Sequence, residues 1–349
     1  MRWRTTAGRP RVCTVREHGR GTADMSISVD FEHSTAPFRG ELLAHCYRML
    51  GSVHDAEDVL QETLVRAWRA KDRYDEGRAS LRTWLYRIAT NACLTALESR
   101  SRRPLPTGLV GPTDDPQAPL TSALEVPWLQ PFPDASLGTD PAAVAASRGS
   151  LRLALIAAMQ LLPARQRAIL ILRDVLEWSA AEVADTLSTT VAAVNSGLQR
   201  ARASLAEAGV SEEQLAEPDD PGRRAILDRY AAAFESADIE ALTRLLTEDV
   251  ILEMPPVLNW YVGRRHYGEF MARVFTMRGA DWRVRPLTAN GQPALAAYAR
   301  NPDGAYEART LQVFTIGKAG ISHDVVFADP SLFPAFGLPV LLDAAASRS

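Results

Sequence analysis

Cysteine is scarce in this chain. Three residues, Cys13, Cys46 and Cys93, are spread over 349 positions without a Cys-x-x-Cys pair. An odd, widely spaced set excludes a disulfide framework and a thiolate zinc site and fits a reducing compartment. Cys46 and Cys93 are expected simply to fill helical cores. Long apolar runs are also missing. None approaches the roughly 20 residues a membrane span needs, so no membrane partner is expected and a cytoplasmic location is. Nor is there a surplus of either charge: 39 Lys and Arg against 42 Asp and Glu leave a formal net charge of −3. The whole molecule is therefore not drawn to nucleic acid, and any such surface must be local. Residues 1–24 are Arg-rich but lack the apolar core of a signal peptide. They read as a disordered leader or a mis-assigned start ahead of Met25. What remains is an ordinary globular composition, 46% hydrophobic, long enough for two or three domains.

The most informative stretch is 161–205. Pro163 stands where a helix begins, a position that tolerates its missing N–H. Ser179 and Glu182 form a capping box that opens a second helix, with Val183, Ala184 and Leu187 facing inward. The Ser188-Thr189-Thr190 run breaks it and offers Thr190 as the next N-cap. Val194, Leu198, Ala201 and Leu205 then recur at helical spacing, with Arg200 and Arg202 on the flank. A short helix, a polar turn and a second, basic-flanked helix make a helix-turn-helix, whose second helix fits the major groove. Periodicity alone leaves an ordinary helical bundle open.

The order Leu162-Pro163, Arg167, Leu172-Arg173, Trp178-Ser179, Glu182-Val183-Ala184 and Val194 through Arg202 resembles region 4 of bacterial RNA polymerase sigma factors, in particular the extracytoplasmic-function (ECF) group. The resemblance implies that Thr190, Asn195, Ser196, Gln199, Arg200 and Arg202 read the −35 promoter element. Many members carry Lys and Arg at the positions of Asn195 and Gly197. Asn can read adenine, but Gly reads nothing and costs about 1 kcal/mol in a helix interior. Weak DNA affinity is therefore expected of this segment alone.

Upstream, a helix is expected over 37–50, ended by Gly51. A second, over 55–68, has a clean apolar stripe and early acids that suit the helix dipole. By itself this is a solvated amphipathic helix. The string also resembles sigma region 2.2, which implies that Asp58, Gln61, Glu62 and Arg66 dock on the clamp coiled coil of core RNA polymerase. Next, Asp75-Glu76-Gly77 reads as a loop and Ser80 as the cap of a third helix. Arginines interleave there with Tyr74, Trp84 and Tyr86, the mixture that melted DNA requires. Trp84 itself is expected to be core. The string from Leu81 to Asn91 resembles regions 2.3 and 2.4, which implies contacts from Arg73, Arg78, Arg82, Arg87 and Asn91 to the −10 element. Glu98 stands where members often have Arg, and it would repel phosphate; Arg100, Arg102 and Arg103 could compensate.

From 104 to 147 Pro, Gly, Asp and Thr dominate and no period persists, so this is a linker, long for a passive one. Trp128 and Phe132 in a Pro-rich run suggest an extended segment docked on something, the chain's own domains included. After an acidic hinge the texture changes. Helical signal over 224–246 precedes strand-like runs at 250–254, 282–287, 294–299, 310–316 and 321–327, the last two joined by a Gly317–Gly320 turn. Helices followed by a curved antiparallel sheet make an α+β cone. With Met254-Pro255-Pro256 and Trp260 through Arg264, it resembles the SnoaL-like branch of the NTF2-like superfamily.

The expected fold is multidomain, with two all-α sigma modules and an α+β NTF2-like cone. The segments are 1–24 leader, 25–103 region 2, 104–147 linker, 148–210 region 4, 211–221 hinge, 222–335 cone and 336–349 tail. The resemblance implies a sigma factor that binds core polymerase through clamp and flap and directs promoter-specific initiation. The cone would regulate it in cis, with Trp128 and Tyr261 as interface aromatics. A small apolar ligand could sit in the cone. His266, Asp281, His323 and Asp324 form no dyad by spacing, so no catalytic residue, metal or cofactor is expected, and fold likeness does not transfer activity. The alternatives are a cyclase- or isomerase-type enzyme, or a ligand sensor, with a DNA-binding appendage. A one-component repressor leaves 55–68 and 81–91 without a purpose.

Overall fold

A computed structural model of the chain describes residues 31–99, 102–138, 148–209 and 221–342. The leader, the hinge before Pro221 and Arg100 lie outside the described residues. The chain divides into two compact units at Phe38–Arg39. In the first, Thr35 Oγ1 donates to Phe31 O at 2.9 Å and a 3-10 turn spans Ala36–Phe38.

Helices α1 (Arg39–Leu50), α2 (Val53–Ala70) and α3 (Leu81–Glu98) pack on one another. Gly51, at φ 69°, ends α1, and Ser52 caps α2 by accepting from Asp55 N at 3.1 Å. Ser80 caps α3, accepting from Thr83 N at 3.2 Å. Cys46 and Cys93 are fully buried between these helices. Trp84 departs from expectation. It is only half-buried, its ring lying 5.0 Å from that of Tyr74, because α3 turns Leu85 and Tyr86 inward instead.

The second helical module comprises α4 (Leu153–Gln160), α5 (Ala164–Leu170), α6 (Ala180–Thr186) and α7 (Val191–Glu207), with a π-helical turn at Ile171–Val175 after α5. Both halves of the Ser179–Glu182 capping box are present, and Thr190 accepts from Ala193 N at 3.2 Å. Of the apolar series on α7, Val194, Leu198 and Ala201 are buried and Leu205 is half-buried.

The C-terminal module opens with α8 (Pro221–Glu235) and α9 (Ile239–Arg244). Its sheet contains β1 (Leu246–Glu253), β2 (Trp260–Val262), β3 (Trp282–Ala289), β4 (Gln292–Arg300), β5 (Tyr306–Gly317) and β6 (Gly320–Phe327) in the order β2-β1-β6-β5-β4-β3, with β7 (Leu341–Leu342) on β5. The sheet is mixed rather than antiparallel. β1 runs parallel to β6, Leu252 opposite Asp324, because the chain must cross over four strands before returning to β1. Helix α10 (Arg264–Arg278) has no counterpart in the sequence expectation. It packs on β1 and β2 while α8 packs on β3 and β4, and Tyr230, Phe234, Tyr267, Phe270, Trp282 and Phe314 lie in the core.

Candidate nucleic-acid interface

On α2, Asp58, Gln61, Glu62 and Arg66 are all exposed, while Val59, Leu60 and Thr63 are buried. Spacings of three, four and eight put the four polar residues on one face. Arg66 Nε pairs with Glu62 Oε1 at 2.7 Å, an exposed (i, i+4) pair that shapes this face more than it stabilises it.

The −10 candidates do not share one fate. Arg73, Arg78 and Asn91 are exposed, and Asn91 Nδ2 donates to Arg87 O at 3.0 Å. Arg82 is committed inside its own module: Nε and Nη2 reach Glu41 Oε2 at 2.9 and 2.6 Å, and the guanidinium lies 4.9 Å over the Tyr86 ring. Its hydrogen bonds to Glu41 push the Arg82 pKa up. Arg87 crosses to the other helical module and pairs with Asp185 of α6 at 2.6 Å. Beside it the rings of Tyr86 and Trp178 meet edge-on at 6.2 Å. The two modules are thus clasped together. Deeper in the same junction, buried Arg167 donates to Met49 O at the end of α1, to Gln160 Oε1 at 2.8 Å and to Leu162 O at 3.1 Å. Burial pushes the Arg167 pKa down to about 10.

Thr190, the N-cap of α7, and Asn195, Ser196, Gln199, Arg200 and Arg202 on the helix are exposed. Arg202 is held back by Asp174, with contacts of 2.9 and 2.7 Å. Gly197 does not belong to this outer face. It is buried, and a Cβ there would stand 2.7 Å from Ile169 Cδ1. Its small size lets α7 approach α5.

The linker is docked on the chain's own modules. Leu129 and Phe132 are fully buried, and Trp128 is 9% exposed, its Nε1 donating to Ala123 O at 2.8 Å. Arg103 joins Trp128 O at 2.9 Å to Asp55 of α2 at 2.5 Å. Trp128 also lines a cleft with Pro255, Pro256 and Phe327 of the cone. Tyr261 lies instead in the cone's own core, its ring 5.1 Å from Phe270. Its neighbour Trp260 is the aromatic that meets the linker, donating from Nε1 to Val110 O at 2.9 Å.

Everything converges on the tip of the β3–β4 hairpin. Asn290 and Gly291 take φ of 57° and 63°, the pair of left-handed residues a tight hairpin turn needs. Asn290 is fully buried. Its Nδ2 donates to Tyr47 Oη of α1 at 2.8 Å and to Leu151 O ahead of α4 at 2.7 Å, and its Oδ1 accepts from Phe132 N of the linker at 2.8 Å. Gly291 N donates to Asp134 Oδ1 at 2.8 Å. One asparagine thereby joins α1, the linker, the segment ahead of α4 and the cone. The Asn-Gly dipeptide between two strand-like runs was a readable turn signal, but nothing in it announces these partners.

The cone holds a half-open cavity of about 330 Å³ lined by Phe234, Leu252, Met254, Phe270 and Trp282, with Tyr230, Gln312 and Asp324 among its polar groups. Asp324 is buried; its Oδ2 accepts from Tyr267 Oη at 2.7 Å, and Tyr267 Oη lies 2.6 Å from Tyr230 Oη. Burial pushes the Asp324 pKa up to about 7, against the lowering effects of the Tyr267 hydrogen bond and of His323. His323, its neighbour on β6, faces the other way and meets buried Glu253 at 2.8 Å. Glu253 also accepts from Thr107 N of the linker at 2.8 Å. His266 is half-buried with Nδ1 2.9 Å from Val262 O, and Asp281 sits apart with Tyr306 and Arg300. The four candidates therefore do not assemble. Tyr230 and Tyr267, which sequence reasoning left out as polar groups, are what Asp324 meets.

Two helical modules with exposed polar faces, a docked linker and an α+β cone give the chain the architecture of a helix-turn-helix protein fused to a pocket-bearing fold. Residues 36–103 match sigma-70 region 2, residues 152–205 match sigma-70 region 4, and residues 227–328 match the SnoaL-like domain. The ECF RNA polymerase sigma factor SigG of Mycobacterium tuberculosis is 50% identical over 324 residues, 92% of this chain and 87% of that protein. SigJ of the same organism is 30% identical over 214 residues, 61% of either chain. The crystal structure of M. tuberculosis SigJ superposes with a TM-score of 0.59 over 90% of this chain and 99% of that one, at 22% identity, a likeness of fold. The chain belongs to the ECF RNA polymerase sigma factors and carries a SnoaL-like domain at its C-terminal side. It is a subunit that binds core RNA polymerase and directs promoter-specific initiation.

Proposed function

We propose that the cone regulates this sigma factor in cis by favouring an arrangement in which regions 2 and 4 hold each other. The observation that carries this is the clasp between Arg87, in the helix assigned to the −10 element, and Asp185, in the first helix of the helix-turn-helix, at 2.6 Å. Promoter reading separates these modules along the DNA and needs Arg87 for phosphate. The Asn290 tip, bonded to both sides of the junction, stabilises the clasped state. A domain that binds one arrangement lowers the population of the other.

In the open state, Asp58, Gln61, Glu62 and Arg66 dock on the polymerase clamp coiled coil and region 4 meets the flap. Arg73, Arg78, Arg87 and Asn91 follow the −10 strand, joined by Arg82 on exchanging Glu41 for phosphate; Thr190, Asn195, Ser196, Gln199 and Arg200 meet the −35 duplex, joined by Arg202 on exchanging Asp174 for phosphate. The cone acts as a sensor rather than a catalyst, with a small apolar molecule as its ligand, and the protein works in the cytoplasm beside core polymerase. The raised pKa of Asp324 favours a second reading, a proton-transfer enzyme of the cyclase or isomerase kind. That reading requires turnover which Asp324→Asn abolishes and which survives removal of residues before 221.

The test is promoter-dependent transcription with purified core polymerase, comparing the full chain with a chain ending at residue 220. Higher output from the shortened chain is expected. Equal output would remove the regulatory reading, and failure of the full chain to co-elute with core on gel filtration would remove the assigned polymerase face.

A further inference from the structure

One side chain in the lining of the cone's cavity is not supplied by the cone. Leu120 of the linker lines it beside Met254, Val257 and Phe270, and packs against the cone's apolar core. The surrounding linker is strapped down by its main chain. Leu258 N donates to Thr121 O at 2.8 Å and Ala123 N to Pro256 O at 2.9 Å. Thr121 N donates to Asn259 Oδ1 at 2.8 Å. Arg273 of α10 donates to Pro116 O at 2.8 Å and to Ala118 O at 2.6 Å. A bridge pairs Ser122 with Val257. This is a short strand-like strap laid along the edge of a pocket.

Elsewhere in the same lining a polar demand is left unmet. Asp324 is 1% exposed, and its Oδ1 has no hydrogen-bond partner among the described residues. A buried carboxyl oxygen without a donor is costly and rare in native proteins. The rest of the lining is mainly apolar, and a volume of about 330 Å³ lies at the small end of ligand pockets. Such a site suits an apolar molecule carrying one hydroxyl, the hydroxyl donating to Asp324 and the body lying between Phe270 and Leu120.

We propose that residues 116–123 are a wall of this ligand site, so that a small apolar alcohol or phenol bound at Asp324 clamps the linker onto the cone. The cavity is present with the strap in place, so a fitting molecule adds contacts to Leu120 rather than expelling it. The coupling is reciprocal: whatever tightens the strap tightens the ligand, and the reverse. Through Trp128, Phe132 and Asp134 the clamped linker continues to the Asn290 junction, so the ligand reinforces the clasped arrangement. This last step rests on the regulatory reading above; the strap itself does not.

2-Naphthol, a fluorescent phenol, is the probe, used with the full chain. Saturable binding is expected, weakened about tenfold by Leu120→Ala, the loss of a few methylene contacts, and weakened at least as much by Asp324→Leu. Hydrogen exchange at the Thr121, Ala123 and Leu258 amides should slow about fivefold or more on saturation. Circular dichroism and the thermal midpoint of each variant separate lost binding from lost folding. Leu120→Ala changes only the linker, so it remains informative if Asp324→Leu does not fold. Binding indifferent to Leu120, or exchange unchanged or faster on saturation, overturns the strap. No binding at all, or binding indifferent to Asp324, overturns the site. If exchange slows as stated while transcription is unaffected by 2-naphthol and by removal of the cone, the strap stands and the regulatory reading fails.

Discussion

At the scale of single residues, Asp324 and Gly197 have the clearest consequences. The Asp324 carboxyl is pushed up from 3.8 to about 7, so between those values the folded chain keeps a proton that the unfolded chain has released. Stability therefore falls as pH rises through that window and is level above it. Tyr230 and Tyr267 face the carboxyl from α8 and α10, and His323 adjoins it on β6. Asp324→Asn keeps an acceptor for Tyr267 and removes the charge. Its unfolding midpoint in denaturant should exceed the parent's at pH 8, by a free energy on the order of a few kcal/mol, with the gap shrinking towards pH 5. A pH-independent difference would show that burial of the charge is not its cause. Gly197 makes a different test. Asn195→Arg points outward and should raise holoenzyme affinity for a −35 duplex several-fold, with steeper salt dependence. Gly197→Arg starts towards Ile169, so it should raise affinity less than Asn195→Arg does, its gain of about 1 kcal/mol in helix propensity being offset by displacement of Ile169.

At the scale of elements, the β3–β4 hairpin matters through its tip. Asn290→Ala leaves Phe132 N and Leu151 O without their partner and puts alanine at a φ of 57°. A loss of about 2–4 kcal/mol is expected, from unpaired buried groups plus backbone strain. Hydrogen exchange at the Phe132 amide should accelerate, whereas amides in the middle of β4 and β5 keep their protection. Uniform acceleration would mean the cone itself had melted. Helix α6 is simpler: Ser179→Ala removes the capping box and should cost about 1 kcal/mol.

At the scale of the whole molecule, the issue is how firmly the modules are clasped. The Arg87–Asp185 pair is half-open to solvent, with side-chain exposures of 36% and 68%. Its contribution is therefore under about 1 kcal/mol. Asp185→Ala should leave global stability almost unchanged yet raise promoter-dependent transcription up to a few-fold, since so small a free energy shifts a two-state population by that much. The effect should shrink as salt rises and screens the pair in the parent. Asn290→Ala, which loosens a buried tie, should raise transcription further than Asp185→Ala. The opposite order would mean that the hairpin tip does not govern the clasp.

The sequence by itself determined the local structure and the outward faces. Caps at Ser179, Ser80 and Thr190, the stop at Gly51, the apolar stripe of α2 and the strand runs of the cone follow from nearest-neighbour chemistry, and they hold in the fold. So does the exposure of Asp58, Gln61, Glu62 and Arg66, because helical spacing alone fixes a face. The tertiary structure decided what no local rule contains. Asn290 meets Tyr47 across 243 positions, Gly197 turns inward because α5 lies there, and β1 pairs parallel to β6. Helix α10 escaped notice because Tyr267, Phe270, Met271 and Phe275 are diluted among arginines, so that only the sheet beneath reveals their buried side. Trp128 reads as an anchor from composition, but its place against the cone depends on chain segments more than a hundred residues away. Periodicity reports which side of an element is dry; only packing supplies what covers it.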